Sequence, residues 1–174
     1  MCLSITIPLH FAEQKTRLSW AALLCGYQRA LLTWRDLVEA AKIQQHTGDP
    51  VILSLAKVDK NHVWQVSELA TQLAQRETRQ ESEIKKQWLF LSLAWVYENR
   101  LTDPDPLGTV ETIYADFDYP QEMASFVRYM PVTGGYLPNN HSPAQNHQRM
   151  MDNWQRFLTH AQSEWMHTTS GKAL

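Results

Sequence analysis

A chain of 174 residues with seven Trp, six Tyr and five Phe has the length and the aromatic content to bury a core, which excludes a disordered polymer. Sixteen basic and eighteen acidic residues leave a formal net charge of −2, so the overall balance gives no support to a general nucleic-acid binder. Two cysteines, Cys2 and Cys25, form neither a metal-ligand spacing nor a disulfide framework, and both read as reduced thiols of a cytoplasmic protein.

The first eleven residues are apolar, but they lack a basic start and end too early for a secretory signal. Leu3, Ile5 and Ile7 alternate with Ser4 and Thr6, so residues 1–18 read as an N-terminal arm, either a short strand or an extended segment lying on helices. Trp20, Leu23, Leu24, Tyr27 and Leu31 recur at helical spacing and predict a helix over about 19–30 with Ser19 as its N-cap. Thr33-Trp-Arg-Asp36 resembles a capping box and opens a second helix, with Leu37, Val38 and Ala41 inward and Gly48 as C-terminal cap. Asp49-Pro50 starts a third helix, an acidic N-cap before proline at the first helical position. A fourth covers about 62–77 with Val66, Leu69, Ala70 and Leu73 inward, and the charged run 76–83 reads as a solvated connection.

From 88 to 97 every residue but Ser92 is apolar or aromatic. A helix with no polar face is a central helix wrapped by others, and ten residues spanning about 15 Å fall short of a bilayer, which needs ~20. The segment 83–100 is therefore the expected axis of the fold. Beyond it, two prolines in 101–106 break the chain, and Asp105-Pro106 opens a sixth helix carrying Leu107, Val110, Ile113, Tyr114 and Phe117. Asp118-Tyr-Pro-Gln121 fits another capping box and predicts a short helix to about Tyr129. The stretch 132–141 has no periodicity and reads as a loop long enough to suggest packing or binding. Ser142-Pro143 opens the last helix, whose Met151, Trp154, Leu158, Ala161 and Trp165 form an apolar seam, and the tail from His167 reads as frayed. These elements predict an all-α, single-domain bundle of seven or eight helices over 19–166, packed around the central helix, with no transmembrane segment or repeat.

Charge is distributed unevenly. Between residues 101 and 127 stand six carboxylates (Asp103, Asp105, Glu111, Asp116, Asp118, Glu122) and no Lys or Arg, so the rest of the chain carries +4 if the whole carries −2. Tyr114, Phe117, Tyr119 and Phe126 lie among these acids, and aromatic anchors ringed by charge are what interfaces favour. Asp105 and Asp118 are also explained as helix caps, so Glu111, Asp116 and Glu122, with Tyr119 as anchor and Asp118 beside it, carry the binding reading. Asp116-Phe-Asp118 could share a cation in a turn, but no calcium loop surrounds it. His141 and His147 match no zinc spacing, no Gly-x-Ser-x-Gly elbow occurs, and Gly134-Gly135 lacks the phosphate-loop Lys. No catalytic set, metal site or cofactor motif emerges.

Three stretches are familiar together: Gly26-Tyr-Gln-Arg-Ala-Leu-Leu-Thr-Trp-Arg-Asp-Leu37, Lys86-Gln-Trp-Leu-Phe-Leu-Ser-Leu-Ala-Trp-Val-Tyr-Glu-Asn99, and Ile113-Tyr-Ala-Asp-Phe-Asp-Tyr-Pro-Gln-Glu-Met-Ala-Ser-Phe-Val-Arg-Tyr-Met-Pro131. The chain resembles a family of small uncharacterised bacterial helical proteins, some of which resemble immunity proteins of polymorphic toxin systems. The resemblance implies a cytoplasmic helical domain that neutralises a toxin, and it transfers no catalytic residues. Residues and resemblance together predict a non-enzymatic binding protein with a cognate toxin, a nuclease being one candidate, as partner. Its contact surface would be 101–127, with no nucleic acid, membrane or cofactor bound. Two alternatives stand beside it: a structural or adaptor homo-oligomer sharing the seam of the last helix, and a metal-assisted hydrolase using Asp116 and Asp118.

Overall fold

The computed structural model describes residues 3–170, with side chains through His167. Eight α-helices follow in order: α1 (Leu9–Lys15), α2 (Trp20–Gln28), α3 (Trp34–Gln44), α4 (Pro50–Ala56), α5 (Trp64–Ala74), α6 (Glu81–Glu98), α7 (Pro106–Asp116) and α8 (Pro143–Ser170). No strand occurs among the described residues, so the all-α expectation holds. The segment without a polar face is α6, and its residues 87–94 are buried without interruption. Eight residues exceed two helical turns, so over that span every direction around the axis is closed to water.

Two elements differ from the sequence reading. Residues expected in an N-terminal arm form α1, which buries Leu9, Phe11 and Ala12 on one side, a periodicity too short to register in seven residues. The helix expected to reach Tyr129 is instead a 3-10 segment, Gln121–Phe126, with no side-chain cap at its start. Cys2 and the tail beyond Ser170 lie outside the described residues, and the helix continues past His167 to Ser170 where a frayed end was expected.

Packing groups the chain into two compact units: Ser4–Trp88 and, with Leu3, the residues from Leu89 onward. In the first unit α2 packs on α5, and α4 packs on both α3 and α5, around Leu23, Leu37, Leu55, Val66 and Ala70. Trp88 is closely enclosed in this unit. Its indole is fully buried and donates to the Ala22 carbonyl at 2.8 Å. A methyl group on Gly26 would lie 2.3 Å from Cζ2 of that rigid ring, so α2 can approach only because position 26 has no side chain. The neighbouring Gln87 amide, also buried, donates to Thr16 Oγ1 at 2.9 Å and to the Arg17 carbonyl at 3.0 Å.

The ends of α2 are held as firmly. Glu77, from the run expected to be solvated, accepts from the Trp20 and Ala21 backbone N–H groups at 2.9 Å each, while Ser19 Oγ accepts from Ala22. These first-turn donors have no partners within the helix, and a carboxylate there also suits the helix dipole. At the other end Ala30 sits at φ 57°, with Ala30 N–H bonded to Tyr27 O and Leu31 N–H to Gly26 O, the Schellman pattern. Arg76 pairs with Asp49, the N-cap of α4, and this partner, together with the Val51 and Ile52 amides, holds the Asp49 carboxyl below the usual range.

The second unit forms around Trp154 of α8, which is fully buried. Tyr97 meets it edge-on with centroids 5.0 Å apart, and Phe126 lies parallel at 6.4 Å. Asn153 Nδ2 donates to the Ser125 carbonyl at 2.9 Å, fixing the 3-10 segment against α8. Ser142 and Gln145 form a reciprocal capping box at the start of α8.

Because the ring of Trp88 cannot yield, Gly26→Ala is expected to destabilise the fold by about 1–3 kcal/mol, the usual range for overpacking. Urea denaturation measures it, and an unchanged midpoint would contradict the close approach.

Candidate functional site

The acidic segment begins at the N-terminus of α7. Asp105 caps the helix by accepting from Gly108 N–H at 3.1 Å, and Asp103 accepts from Asp105 N–H at 2.9 Å and from Thr109 Oγ1 at 2.6 Å. Arg128, one residue past the boundary drawn from the sequence, reaches back to this end of the helix. It donates from Nη1 and Nη2 to the two Asp105 oxygens at 3.1 Å each, and from Nε and Nη2 to the Glu111 oxygens at 2.8 and 2.9 Å. One planar guanidinium thus holds two carboxylates, each in the two-bond geometry arginine favours. The clamp uses the space left by Gly108, where a Cβ would lie 2.2 Å from Asp105 Oδ2 and 3.2 Å from Arg128 Nη2 and the two side chains would have to shift.

Electrostatics follow from that arrangement. Burial alone would push the Asp105 carboxyl up, but the Arg128 hydrogen bonds and the Gly108 amide outweigh it and hold the group below its ordinary value. The Glu111 carboxylate, and then Asp105, raise Arg128 above an already high value, so its charge is fixed at any working pH. With both acids ionised, the three side chains sum to −1.

Past α7 the backbone takes an uncommon course. Tyr119 N–H bonds to Tyr114 O at 2.8 Å and Asp118 N–H to Ala115 O at 3.2 Å, again a Schellman end. Asp118 and Tyr119 both occupy the left-handed region, at φ 61° and 58°. Aspartate tolerates that conformation; tyrosine rarely does, and Pro120 disfavours the right-handed alternative for it. The result is a Tyr119 ring 61% exposed, its edge against the buried Tyr114 at 5.2 Å and 81°. Tyr129, 60% exposed, meets the same Tyr114 ring at 6.0 Å and 58°. Tyr114 Oη in turn donates to Met130 Sδ at 3.6 Å.

The sequence-derived candidates therefore fall into different roles. Glu111 and Tyr119 belong to one cluster, with Tyr114, Arg128 and Tyr129. Asp116 is engaged elsewhere, accepting from Leu3 N–H at 2.6 Å. Asp118, expected to cap the helix after it, instead takes the left-handed conformation that ends α7, and the 3-10 segment that follows, Gln121–Phe126, has Pro120 at its N-cap position. Glu122 is exposed in the first turn of that 3-10 segment. Arg128 and Tyr129 were missed as site residues, although the motif Phe-Val-Arg-Tyr-Met-Pro131 contains both: a carboxylate count ended at residue 127 leaves out the cation that balances it.

The loop expected to pack or bind does pack. Tyr136 stacks on His141 at 4.5 Å and 6°, the Arg149 guanidinium lies 4.1 Å from its ring centroid, and its hydroxyl donates to Asn146 Oδ1 at 2.5 Å. Cys25 is half-buried, and burial pushes its thiol up, away from the reactive thiolate. Among the described residues, no helix is long and apolar enough to cross a membrane and no group of three or more His, Cys, Asp or Glu side chains could hold a metal.

A family described as an uncharacterized protein conserved in bacteria (DUF2247) matches residues 9–162, and the chain belongs to it. No curated protein and no solved structure matches the chain.

Asp105 stabilises the fold fully above the ordinary aspartate value of about 3.9, and that contribution is lost as pH falls through its lower folded value. Arg128→Gln is expected to bring the Asp105 midpoint back up, read by carboxyl-carbon NMR titration. A midpoint that stays put would contradict the clamp.

Proposed function

We propose that this DUF2247 member is a non-enzymatic, cytoplasmic binding protein of the immunity type, which blocks a toxin encoded beside it. The surface around Tyr119, Tyr129, Glu111 and Glu122 is the contact face. The observation that carries the reading is the exposed pair Tyr119 and Tyr129, each leaning on the buried Tyr114. Tyrosine is enriched among the residues that dominate binding energy, and an anchor already fixed in place loses little entropy on docking. The surrounding carboxylates favour a partner with a basic cleft, which is the chemistry of a nuclease toxin.

The adaptor alternative needs the seam of α8 to be shared between chains. Trp154, near the middle of that seam, is fully buried against Phe126 and Tyr97 of the same chain, which weighs against that route at this position. The hydrolase alternative needs Asp116 and Asp118 to converge on a cation, whereas Asp116 Oδ2 accepts from Leu3 N–H.

Co-expression with the product of the neighbouring gene tests the proposal. Wild type is expected to restore growth, and the double variant Tyr119→Ala/Tyr129→Ala to fail while remaining folded, its stability lowered by about 1–3 kcal/mol through loss of the two ring contacts to Tyr114. A harmless neighbour, or full protection by the double variant, would sink the reading.

A further inference from the structure

The two exposed tyrosines reach α7 by different means. Tyr119 is fixed through its backbone: its N–H bonds to Tyr114 O at 2.8 Å, its φ is 58°, and Pro120 follows it. Tyr129 is carried on a turn in which Met130 N–H bonds to Val127 O at 3.1 Å, so Arg128 and Tyr129 are its two central residues. Central residues of an exposed turn are ordinarily the ones most free to move. Here the side chains of both lie against α7 instead.

Arg128 donates four hydrogen bonds to Asp105 and Glu111, and the Tyr129 ring meets Tyr114 at 6.0 Å. Glu111 and Tyr114 are three residues apart and so neighbours on one face of α7. The turn is thereby fastened to that face at two successive points, by a guanidinium and by a ring. Tyr114 Oη also donates to Met130 Sδ at 3.6 Å, but a thioether is a weak acceptor, which leaves the guanidinium as the stronger fastening. Its paired two-bond contacts fix direction as well as distance. The three charged side chains are open enough to water that they add little to global stability, so the clamp orders the turn rather than holding the fold.

We propose that Arg128 is a positioning residue of the contact face: by gripping Asp105 and Glu111 it fixes the 127–130 turn on α7 and so sets where Tyr129 stands relative to Tyr119. Its consequence for binding rests on the reading of these tyrosines as anchors. Arg128 acts through Tyr129 rather than by touching the partner. An anchor placed in the free protein has less freedom to lose on docking, so releasing Arg128 weakens binding with every ring still present.

The test uses the full chain with carbon-13-labelled tyrosine and reads the Tyr119 and Tyr129 ring resonances, both close enough to Tyr114 to feel its ring current. Arg128→Gln is expected to move the Tyr129 resonances toward those of an unfolded tyrosine while Tyr119 stays in place, and Arg128→Lys to give a smaller shift. Gly108→Ala reaches the clamp by another route, since its Cβ would lie 2.2 Å from Asp105 Oδ2, and the same displacement of Tyr129 is expected. Tyr129 resonances that do not move, or Tyr119 resonances that move equally, would overturn the proposal. In the growth assay, the expression of Arg128→Gln needed for protection should rise about 2- to 10-fold, the cost of ordering one side chain on docking. No rise, where Tyr119→Ala/Tyr129→Ala fails to protect, would overturn the role in binding. A displaced Tyr129 in a chain whose neighbour is harmless leaves the positioning standing and removes the immunity reading.

Discussion

A helix that can show no face to water dictates what must surround it. Residues 87–94 of α6 are buried in an unbroken run, so each side chain there needs a place prepared by another element. Burying a Trp or Phe contributes on the order of 2–3 kcal/mol, but only if the site neither leaves a void nor overfills. The bare backbone at Gly26 is the complement of Trp88, and the Ala22 carbonyl is the acceptor its indole N–H requires once water is gone. Gln87 meets the same demand through Thr16 and the Arg17 carbonyl. Ser92 Oγ and Trp154 Nε1 are buried without a hydrogen-bond partner among the described residues.

Charged side chains in this fold work at helix ends rather than as a diffuse surface. Glu77 closes the first turn of α2, Asp49 caps α4 while pairing with Arg76, and Asp105 caps α7 while pairing with Arg128. In each case a carboxylate meets backbone N–H groups that have no other partner within their helix. The acids of 101–127 are therefore partly structural, and the binding proposal rests on tyrosines more than on net charge. Asp105 and Glu111 are shared with Arg128, and Asp116 with Leu3.

Much of the fold was legible because it depends on local rules. The run from Trp88 to Tyr97 announces a buried helix by lacking any polar stripe. Asp49-Pro50, Asp105-Pro106 and Ser142-Pro143 mark three helix starts that the structure places at those positions. What was not legible depends on residues far apart in the chain. Nothing near Glu77 says that it will cap a helix 57 positions earlier, and nothing near Gly26 names the indole 62 positions later that needs its space. Asp118 misled for a different reason: aspartate serves both as an N-cap and as a left-handed C-terminal residue, and Asp-x-Pro-Gln satisfies the first pattern while adopting the second. The site was half legible, since Tyr119 and Glu111 stood out from their neighbours whereas Arg128 and Tyr129 join them only through folding.

A buried run in α6 and a tyrosine held ready at the surface are two sides of one claim, that the contact face exists before any partner arrives. Native-state hydrogen exchange tests it most directly. The slowest amides are expected within 87–94, and the Tyr119 amide, bonded to Tyr114 O at 2.8 Å, is expected to be strongly protected although its ring stands in solvent. Exchange of the Tyr119 amide at the rate of an open loop would mean that the face is assembled only on binding, and would overturn the claim of a preformed face.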